Sequence, residues 1–134
     1  MRRPPGRGSS RDRGNSTVEF TLVSVLVLFL FLLVLQLGFV LHTRNVLVAA
    51  AQEGARYGAN ADRGPADAEA RALEVVSDAL SPGVAARLDR PRAELVEVDG
   101  AVVMEVTLAG PAPLVLLPAG PVRLRVQGHA LEEG

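Results

Sequence analysis

The sequence predicts an α+β protein: a long N-terminal membrane-spanning helix that continues outside the membrane, then a short helix and a three-stranded antiparallel sheet. Three observations lead to this prediction. An uncharged apolar run fills residues 20–43, the helical pattern continues beyond it, and three segments of alternating apolar residues follow after residue 95. We therefore expect a disordered, Arg-rich cytoplasmic leader at residues 1–14, the helix at 15–59, and a small extracytoplasmic αβββ domain at 60–134.

The apolar run has the length of a transmembrane helix. Its 24 residues, between Glu19 and Arg44, contain no Asp, Glu, Lys or Arg, and about 20 apolar residues cross a hydrocarbon core of about 30 Å. The run is also longer than the roughly 7–15 apolar residues of a secretory signal. Five Arg precede it, whereas Arg44 alone closely follows it. The positive-inside rule therefore predicts a single-pass protein of the plasma membrane, with a cytoplasmic N-terminus and an extracytoplasmic C-terminal domain.

The composition excludes several kinds of functional site. The 134 residues include no Cys and two His, which rules out disulfides, thiolate metal sites, a Cys nucleophile and an all-His metal site within one chain. Residues 44–134 carry nine Arg against thirteen acidic residues, so they lack the basic composition of a nucleic-acid binder. The sequence contains no Gly-rich phosphate loop, His-Glu zinc helix or nucleophile elbow. We expect no catalytic residue, metal, cofactor, nucleic acid or small-molecule substrate.

The helical pattern continues beyond the membrane segment without a breaker. We predict one helix from about Ser16 to about Tyr57, which at 1.5 Å per residue is about 60 Å long, roughly twice the hydrocarbon thickness. Small residues recur at every fourth position of its outer half, at Ala50, Gly54 and Gly58. This spacing lets a second helix or a sheet approach closely. An Ala-rich helix under the outer domain explains the pattern equally well.

A short motif stands where the apolar run begins. Gly14 is followed by four residues and then by Glu19 and Phe20. This arrangement resembles the processing site of type IV prepilins and pseudopilins, in which an aspartic membrane peptidase cuts after the Gly. The resemblance implies that Gly14 ends the leader, that Asn15 becomes the new N-terminus, and that Glu19 and Phe20 act in assembly. In that role Glu19 pairs with a freed amine within the chain or on a neighbouring subunit. Ser16 and Glu19 also match a helix capping box, and both interpretations can hold together.

The wider segment resembles one family. The string RGNSTVEF, the apolar run and LHTRNVLVAAAQEGARYGA are similar to the TadE-like family, whose members are membrane pseudopilins associated with tight-adherence (Tad) pilus assembly. The resemblance covers roughly residues 13–59 and implies a pilin-like fold. It also implies a role in assembling a Tad-type pilus or secretion filament, with a prepilin peptidase and other pilins or pseudopilins as partners. Asn15 replaces the usual Phe of ordinary type IV pilins, and the chain is longer than short major pilins, which favours a minor component.

The C-terminal part predicts one helix and three strands. Pro65 can begin the helix, and Ser81-Pro82-Gly83 ends it. Its apolar stripe has five members: Ala66, Ala70, Leu73, Val76 and Leu80. Strands follow around residues 96–98, 102–108 and 122–126, with a hairpin at Asp99-Gly100. We expect a three-residue hairpin loop that pairs Val96 with Val102, because this register keeps the apolar faces consistent. Residues 109–121 form a Pro-rich loop whose apolar centre covers the core by default, or contacts lipid or a partner.

Two other functions are compatible with the sequence. A permanently signal-anchored module would keep its leader and bind a cell-envelope ligand or partner through the Pro-rich loop. A membrane-tethered enzyme would need a convergent polar pocket containing His129 or a carboxylate, which the sequence does not indicate. The mature N-terminus separates the anchored module from the pseudopilin hypothesis.

Overall fold

The structure is a computed structural model; it describes residues 1, 10–113 and 122–132, and for residues 10–13 the backbone alone. The described residues form three helices and three strands: α1 (Ser10–Gly58), α2 (Pro65–Ala79), α3 (Pro82–Arg87), β1 (Arg92–Val98), β2 (Ala101–Pro111) and β3 (Arg123–Leu131). A long apolar helix, short helices and a three-stranded antiparallel sheet confirm the predicted α+β class. β2 continues to Pro111, so the predicted loop begins later than residue 109, and its residues 114–121 lie outside the described residues.

The chain divides into two compact units, Met1–Leu35 and Gln36–Gly134. In the first unit the apolar side chains of α1 are exposed, as at Phe20 (73%) and Val34 (63%). Among the described residues, one helix, Gly14–Gly58, is long and apolar enough to cross a membrane by length and composition. A single N-terminal apolar helix of this kind fits a single-pass membrane protein.

The start of α1 differs from the prediction. The helix begins at Ser10 rather than near Ser16, so Ser16 lies inside the helix and is not its N-cap. The predicted capping box with Glu19 is therefore wrong for the full chain. Gly14 costs a helix about 1 kcal/mol relative to Ala, which is too little to stop a helix that propagates from a long apolar segment. Residues 2–9 of the predicted leader lie outside the described residues.

α2 begins at Pro65, as predicted, but its buried stripe matches the prediction only in part. Val76 is buried and Leu80 packs against the core, as expected. Pro65 occupies the first turn, and the preceding Gly64 N–H donates to Asp67 Oδ2 at 3.0 Å. The buried residues are Ala68, Ala72 and Val76, whereas the predicted members Ala66 and Ala70 are exposed. The buried stripe is small because α2 lies close to α1, as the glycines described below require.

A third helix, α3, is absent from the sequence prediction. Ser81 ends α2 as expected, but its Oγ then accepts a hydrogen bond from Val84 N–H at 3.2 Å and caps a new short helix. Pro82 follows the cap at the first helical position, where it needs no hydrogen-bond donor. The same three residues that signal a stop therefore also start the next helix.

The core lies between the sheet and the helices of the second unit. The strands are ordered β1-β2-β3, and both pairs are antiparallel. The inner face of the sheet presents Met104, Val106, Leu108 and Val126, all at most 5% exposed. These residues form one cluster with the alanines of α1 and α2. At the free edge of β1, Glu69 Oε1 accepts the Ala93 N–H at 3.1 Å, which covers part of a strand edge that could otherwise pair with another chain.

The hairpin register is a second correction. β1 and β2 are joined by a two-residue turn, which pairs Val96 with Val103 and not with Val102. Asp99 and Gly100 have φ angles of 51° and 81°, and positive values at both positions are the signature of a type I′ turn. This turn matches the twist of the strands, so it outweighs the apolar pattern of β1. Val96 consequently lies on the outer face of the sheet, whereas Met104 lies on the inner face.

We expect the substitution Gly100→Ala to lower the free energy of unfolding by about 1 kcal/mol, because a Cβ is strained at positive φ. Asp99→Asn, which tolerates the same conformation, should change it by less than about 0.5 kcal/mol. Denaturant unfolding of the full chain in detergent, followed by the fluorescence of its single tyrosine, measures both. Equal effects of the two substitutions would contradict the type I′ turn.

Candidate functional site

The predicted cleavage position lies in the first turns of α1. Gly14 and Asn15 are both exposed, and a Cβ added at Gly14 would meet no atom within 4 Å. Nothing in the described part of the chain covers this bond. A peptidase would have to unwind only the first turns of the helix, where end fraying and Gly14 keep the free-energy cost low.

Glu19 and Phe20 also lie on the exposed surface of the helix. Phe20 is 73% exposed and Val18 58%, so the Glu19 carboxylate stands between large apolar side chains. Glu19 forms no ion pair within 4 Å with the side chains that the structure describes. Asn15 precedes Glu19 by four residues, which is one helical turn. An amine at residue 15 would therefore lie near the carboxylate.

Two members of the small-residue stripe of α1, Gly54 and Gly58, pack against α2 within the same chain. Ala50, Gly54 and Gly58 are all buried. A Cβ added at Gly54 would lie 2.7 Å from the Ala68 carbonyl oxygen, and one added at Gly58 would lie 2.5 Å from Ala68 Cβ. The two helices therefore approach closely because these positions lack side chains. In this structure the three residues serve the chain's own fold.

Gly128 is a close contact that the sequence analysis missed. It lies on the inner face of β3, and a Cβ there would overlap backbone atoms of Ala51 and Gln52 in α1. The contact holds the strand directly against the helix backbone. The signal was present in the sequence, because a Gly inside a strand pattern often marks the close approach of another backbone.

Polar contacts around Arg71 join α2 to the C-terminal end of α1. Arg71 forms ion pairs with Glu74 at 2.9 Å and with Glu53 at 3.4 Å. Its guanidinium also faces the Tyr57 ring at 5.8 Å, while Arg63 stacks on that ring at 3.5 Å. Hydrogen bonds to Glu74, and then to Glu53, raise the pKa of Arg71 above its ordinary value. The cluster is partly exposed, so we expect it to contribute less than the packing beneath it.

At the other end of the second unit, Gln36 joins α1 to the end of β2. Gln36 is 6% exposed, and its Nε2 donates to the Pro113 carbonyl oxygen at 2.8 Å. In the sequence, Gln36 is one of the few polar residues of the apolar run. Its amide satisfies a backbone group of the segment that follows β2, which identifies a specific structural role.

The outer face of the sheet contains a cleft of about 570 Å³. Arg90, Arg92 and Arg125 lie around it, and Thr107 and the small residue Ala109 form part of its lining. Asp89 at its edge is paired with Arg123. The three lining arginines form no ion pair within 4 Å in the described part of the chain. Glu69 also lines the cleft, where its Oε1 accepts the Ala93 N–H. The lining therefore carries an excess of positive over negative charge.

The two histidines lie apart. His42 is exposed on α1, whereas His129 Nε2 lies 2.8 Å from Glu105 Oε2 on the outer face of the sheet. Gln127 donates to the other oxygen of Glu105 at 3.1 Å. Within residues 10–113 and 122–132, no group of three or more His, Asp or Glu side chains is arranged to hold a metal ion.

Comparison with known proteins finds one family that is similar to part of this chain. The family model described as TadE-like protein matches residues 14–56, which are 43 of the 134 residues. The match runs from Gly14 through the apolar run into the small-residue stripe, and it confirms the resemblance over that segment. Neither the curated proteins nor the solved structures include a match to the chain.

Proposed function

We propose that the protein is a TadE-like pseudopilin or minor pilin that acts in the assembly of a Tad-type pilus or secretion filament. A prepilin peptidase would cut after Gly14 on the cytoplasmic side of the plasma membrane. The C-terminal unit would then lie outside the membrane, where other pilins or pseudopilins are its partners. Gly14 and Glu19 are substrate and assembly residues in this proposal, and the protein itself catalyses no reaction.

The observation that carries the proposal is the family match over residues 14–56. The match to TadE-like proteins suggests a protein related to Tad pili. The matched segment contains the exposed Gly14–Asn15 bond and most of the one helix that, among the described residues, fits a membrane span. A small subunit that is stored in a membrane and later assembled needs both features.

The chemistry of Glu19 supports an assembly role. A carboxylate at the edge of the hydrocarbon is unfavourable unless a positive charge compensates it. Cutting after Gly14 creates an α-amino group with an ordinary pKa of about 7.7–8.0, so much of it is protonated near neutral pH. The amine can compensate Glu19 of its own chain or of a neighbour. Pairing with a neighbour would align two subunits along their helices.

The mature N-terminus tests the proposal. We expect N-terminal sequencing and intact mass of protein from host membranes to give a start at Asn15. Gly14→Leu should abolish this cleavage, because the bulky side chain occupies the residue that precedes the cut bond. Gly8→Leu, which makes the same change elsewhere in the leader, is the matched control and should leave the start at Asn15.

Retention of Met1 in the wild-type protein would exclude peptidase processing. It would favour the alternative function, a permanently anchored cell-envelope module. A start near Gln52 would exclude both functions, because it would release the C-terminal part from the membrane. Cleavage at Asn15 in the Gly14→Leu variant would show that another feature selects the site.

A further inference from the structure

Two contacts relate positions along the strands to positions along the α1 axis, and we call a position along this axis a height. Gly128, which pairs with Val106 in β2, touches the α1 backbone at Ala51, and Pro113 is hydrogen-bonded to Gln36. From residue 106 to 113 a strand advances about 23 Å, and from residue 51 back to 36 a helix spans about 22 Å. The agreement means that β2 runs alongside α1 and returns toward the apolar run.

The heights of the cleft arginines follow from the strand register. Arg125 pairs with Ala109, three residues beyond Val106. It therefore lies about 10 Å below Ala51, that is, closer to the apolar run, and near the height of Arg44. Arg92 pairs with Thr107 and lies about 3 Å below Ala51. The cleft therefore occupies the heights of residues 44–49 of α1.

These heights coincide with the end of the apolar surface. In the second unit, the α1 side chains of Leu37, Phe39 and Leu41 are 46–58% exposed and continue the uncharged run. Arg44 is the first charged residue after them. In an inserted helix, lipid tails would reach about Leu41 and the headgroups would surround Arg44. The cleft would thus lie at the level of the lipid phosphates or just beyond it.

The arginines of residues 44–134 are concentrated in the segments around the cleft. Residues 87–92 and 123–125, together with Arg44, contain six of the nine Arg in residues 44–134, but Asp89 is their only acidic residue. The other residues of the range 44–134 include three Arg and twelve acidic residues. An acidic domain whose positive charge is concentrated around one cleft is suited to contact a layer of anionic groups there.

The cleft has the chemistry of a phosphate site. On the outer face, Arg92 is paired with Thr107 and Arg125 with Ala109, two residues farther along β2, and Arg90 lines the same space. Guanidinium groups bind phosphate oxygens with two parallel hydrogen bonds, and a threonine hydroxyl can add one more. Two carboxylates also line the cleft: Asp89 is paired with Arg123, and Glu69 accepts the Ala93 N–H. The three arginines therefore retain an excess of positive charge, and an anion between them lowers the free energy of the arrangement.

We propose that this cleft binds the phosphate of an anionic phospholipid, in the leaflet where α1 leaves the membrane. The proposal rests on the membrane insertion of α1 that is part of the proposed function, but not on leader cleavage or filament assembly. It also holds for either orientation of the helix. The bound lipid would fix the height of the C-terminal unit relative to the membrane.

Lipid selection in nanodiscs tests the proposal. Full-length protein is inserted in nanodiscs of equal phosphatidylglycerol and phosphatidylcholine, and native mass spectrometry measures the ratio of the two lipids that it retains. We expect wild-type protein to favour phosphatidylglycerol, and Arg92→Gln with Arg125→Gln to lower this preference roughly tenfold. Arg56→Gln, an exposed arginine outside the cleft, removes the same type of charge and should leave the preference unchanged. Millimolar inorganic phosphate should not displace the lipid.

Three results would overturn the proposal. They are an unchanged preference in the double variant, an equal loss in Arg56→Gln, and displacement of the lipid by inorganic phosphate, which would identify a site for free phosphate. Arg90→Gln provides a second variant of the cleft if the double variant unfolds. A protein that leaves host membranes without detergent would contradict membrane insertion, whereas retention of Met1 would affect the processing proposal alone.

A depth measurement checks the geometry independently. The chain has no cysteine, so a single nitroxide label can be placed through Ala109→Cys at the cleft or through Asp99→Cys at the hairpin tip. We expect the label at residue 109 to report the headgroup region and the label at residue 99, about 30 Å farther along the sheet, to report bulk water. Equal water exposure of both labels would contradict the height assigned to the cleft.

Discussion

Replacing Gly128 with alanine should lower the free energy of unfolding of the C-terminal unit by about 3 kcal/mol. The new Cβ would overlap backbone atoms of Ala51 and Gln52 and lie 2.5 Å from the Ala51 carbonyl oxygen. Backbone atoms inside a helix cannot rotate away as a flexible side chain can. β3 must therefore separate from α1, and the core between the sheet and the helix loosens.

Denaturant unfolding of the full chain in detergent measures this effect through Tyr57, the single tyrosine. Gly83→Ala is the matched control, because the nearest atom to its added Cβ is Ser81 Oγ at 3.8 Å. This control should change the free energy of unfolding by less than about 1 kcal/mol. Similar values for the two variants would show that β3 does not pack directly on the α1 backbone.

The second large effect concerns the contact between α1 and α2. Gly58→Ala should cost about 2 kcal/mol, because the added Cβ would lie 2.5 Å from Ala68 Cβ and 3.1 Å from the Gly64 carbonyl oxygen. The substitution also raises helix propensity by up to about 1 kcal/mol, so the measured loss is the difference between a steric cost and a local gain. The clash should outweigh the gain.

A double-mutant cycle isolates this contact. Ala68→Gly removes the methyl group that Gly58→Ala would strike, so the double variant should be more stable than the sum of the single effects predicts. We expect a coupling of about 1 kcal/mol or more between the two positions. The same unfolding measurement applies to all four proteins. Additive effects would show that residues 58 and 68 are not in contact.

The long helix and the strand segments could be predicted because their signals are local. An uncharged run of 24 residues admits few structures other than a helix, and the alternation in β2 and β3 identifies two strands directly. The register of β1 could not be predicted from its apolar pattern. The Asp99-Gly100 turn placed Val96 on the outer face, and only the geometry of both strands decides between two and three loop residues.

The residues of the candidate site also form two groups: those that the sequence predicts and those whose partners only the structure identifies. Gly14, Asn15 and Glu19 are recognised from spacing alone, and their roles remain proposals. The partner of the small-residue stripe is different, because spacing predicts a close approach without naming what approaches. The structure places α2 against Gly54 and Gly58, within the same chain.

By itself, the sequence determined the apolar helix, the α+β class and the resemblance to TadE-like proteins, because each depends on residues close together along the chain. Only the tertiary structure decided what the helix packs against, how β1 is registered, and which arginines share a cleft. Arg92 and Arg125 lie far apart in sequence, and the pairing of β1 and β3 with β2 places them beside Thr107 and Ala109, two residues apart on β2. Such positions follow from strand pairing and helix packing, which join distant segments and leave no local pattern.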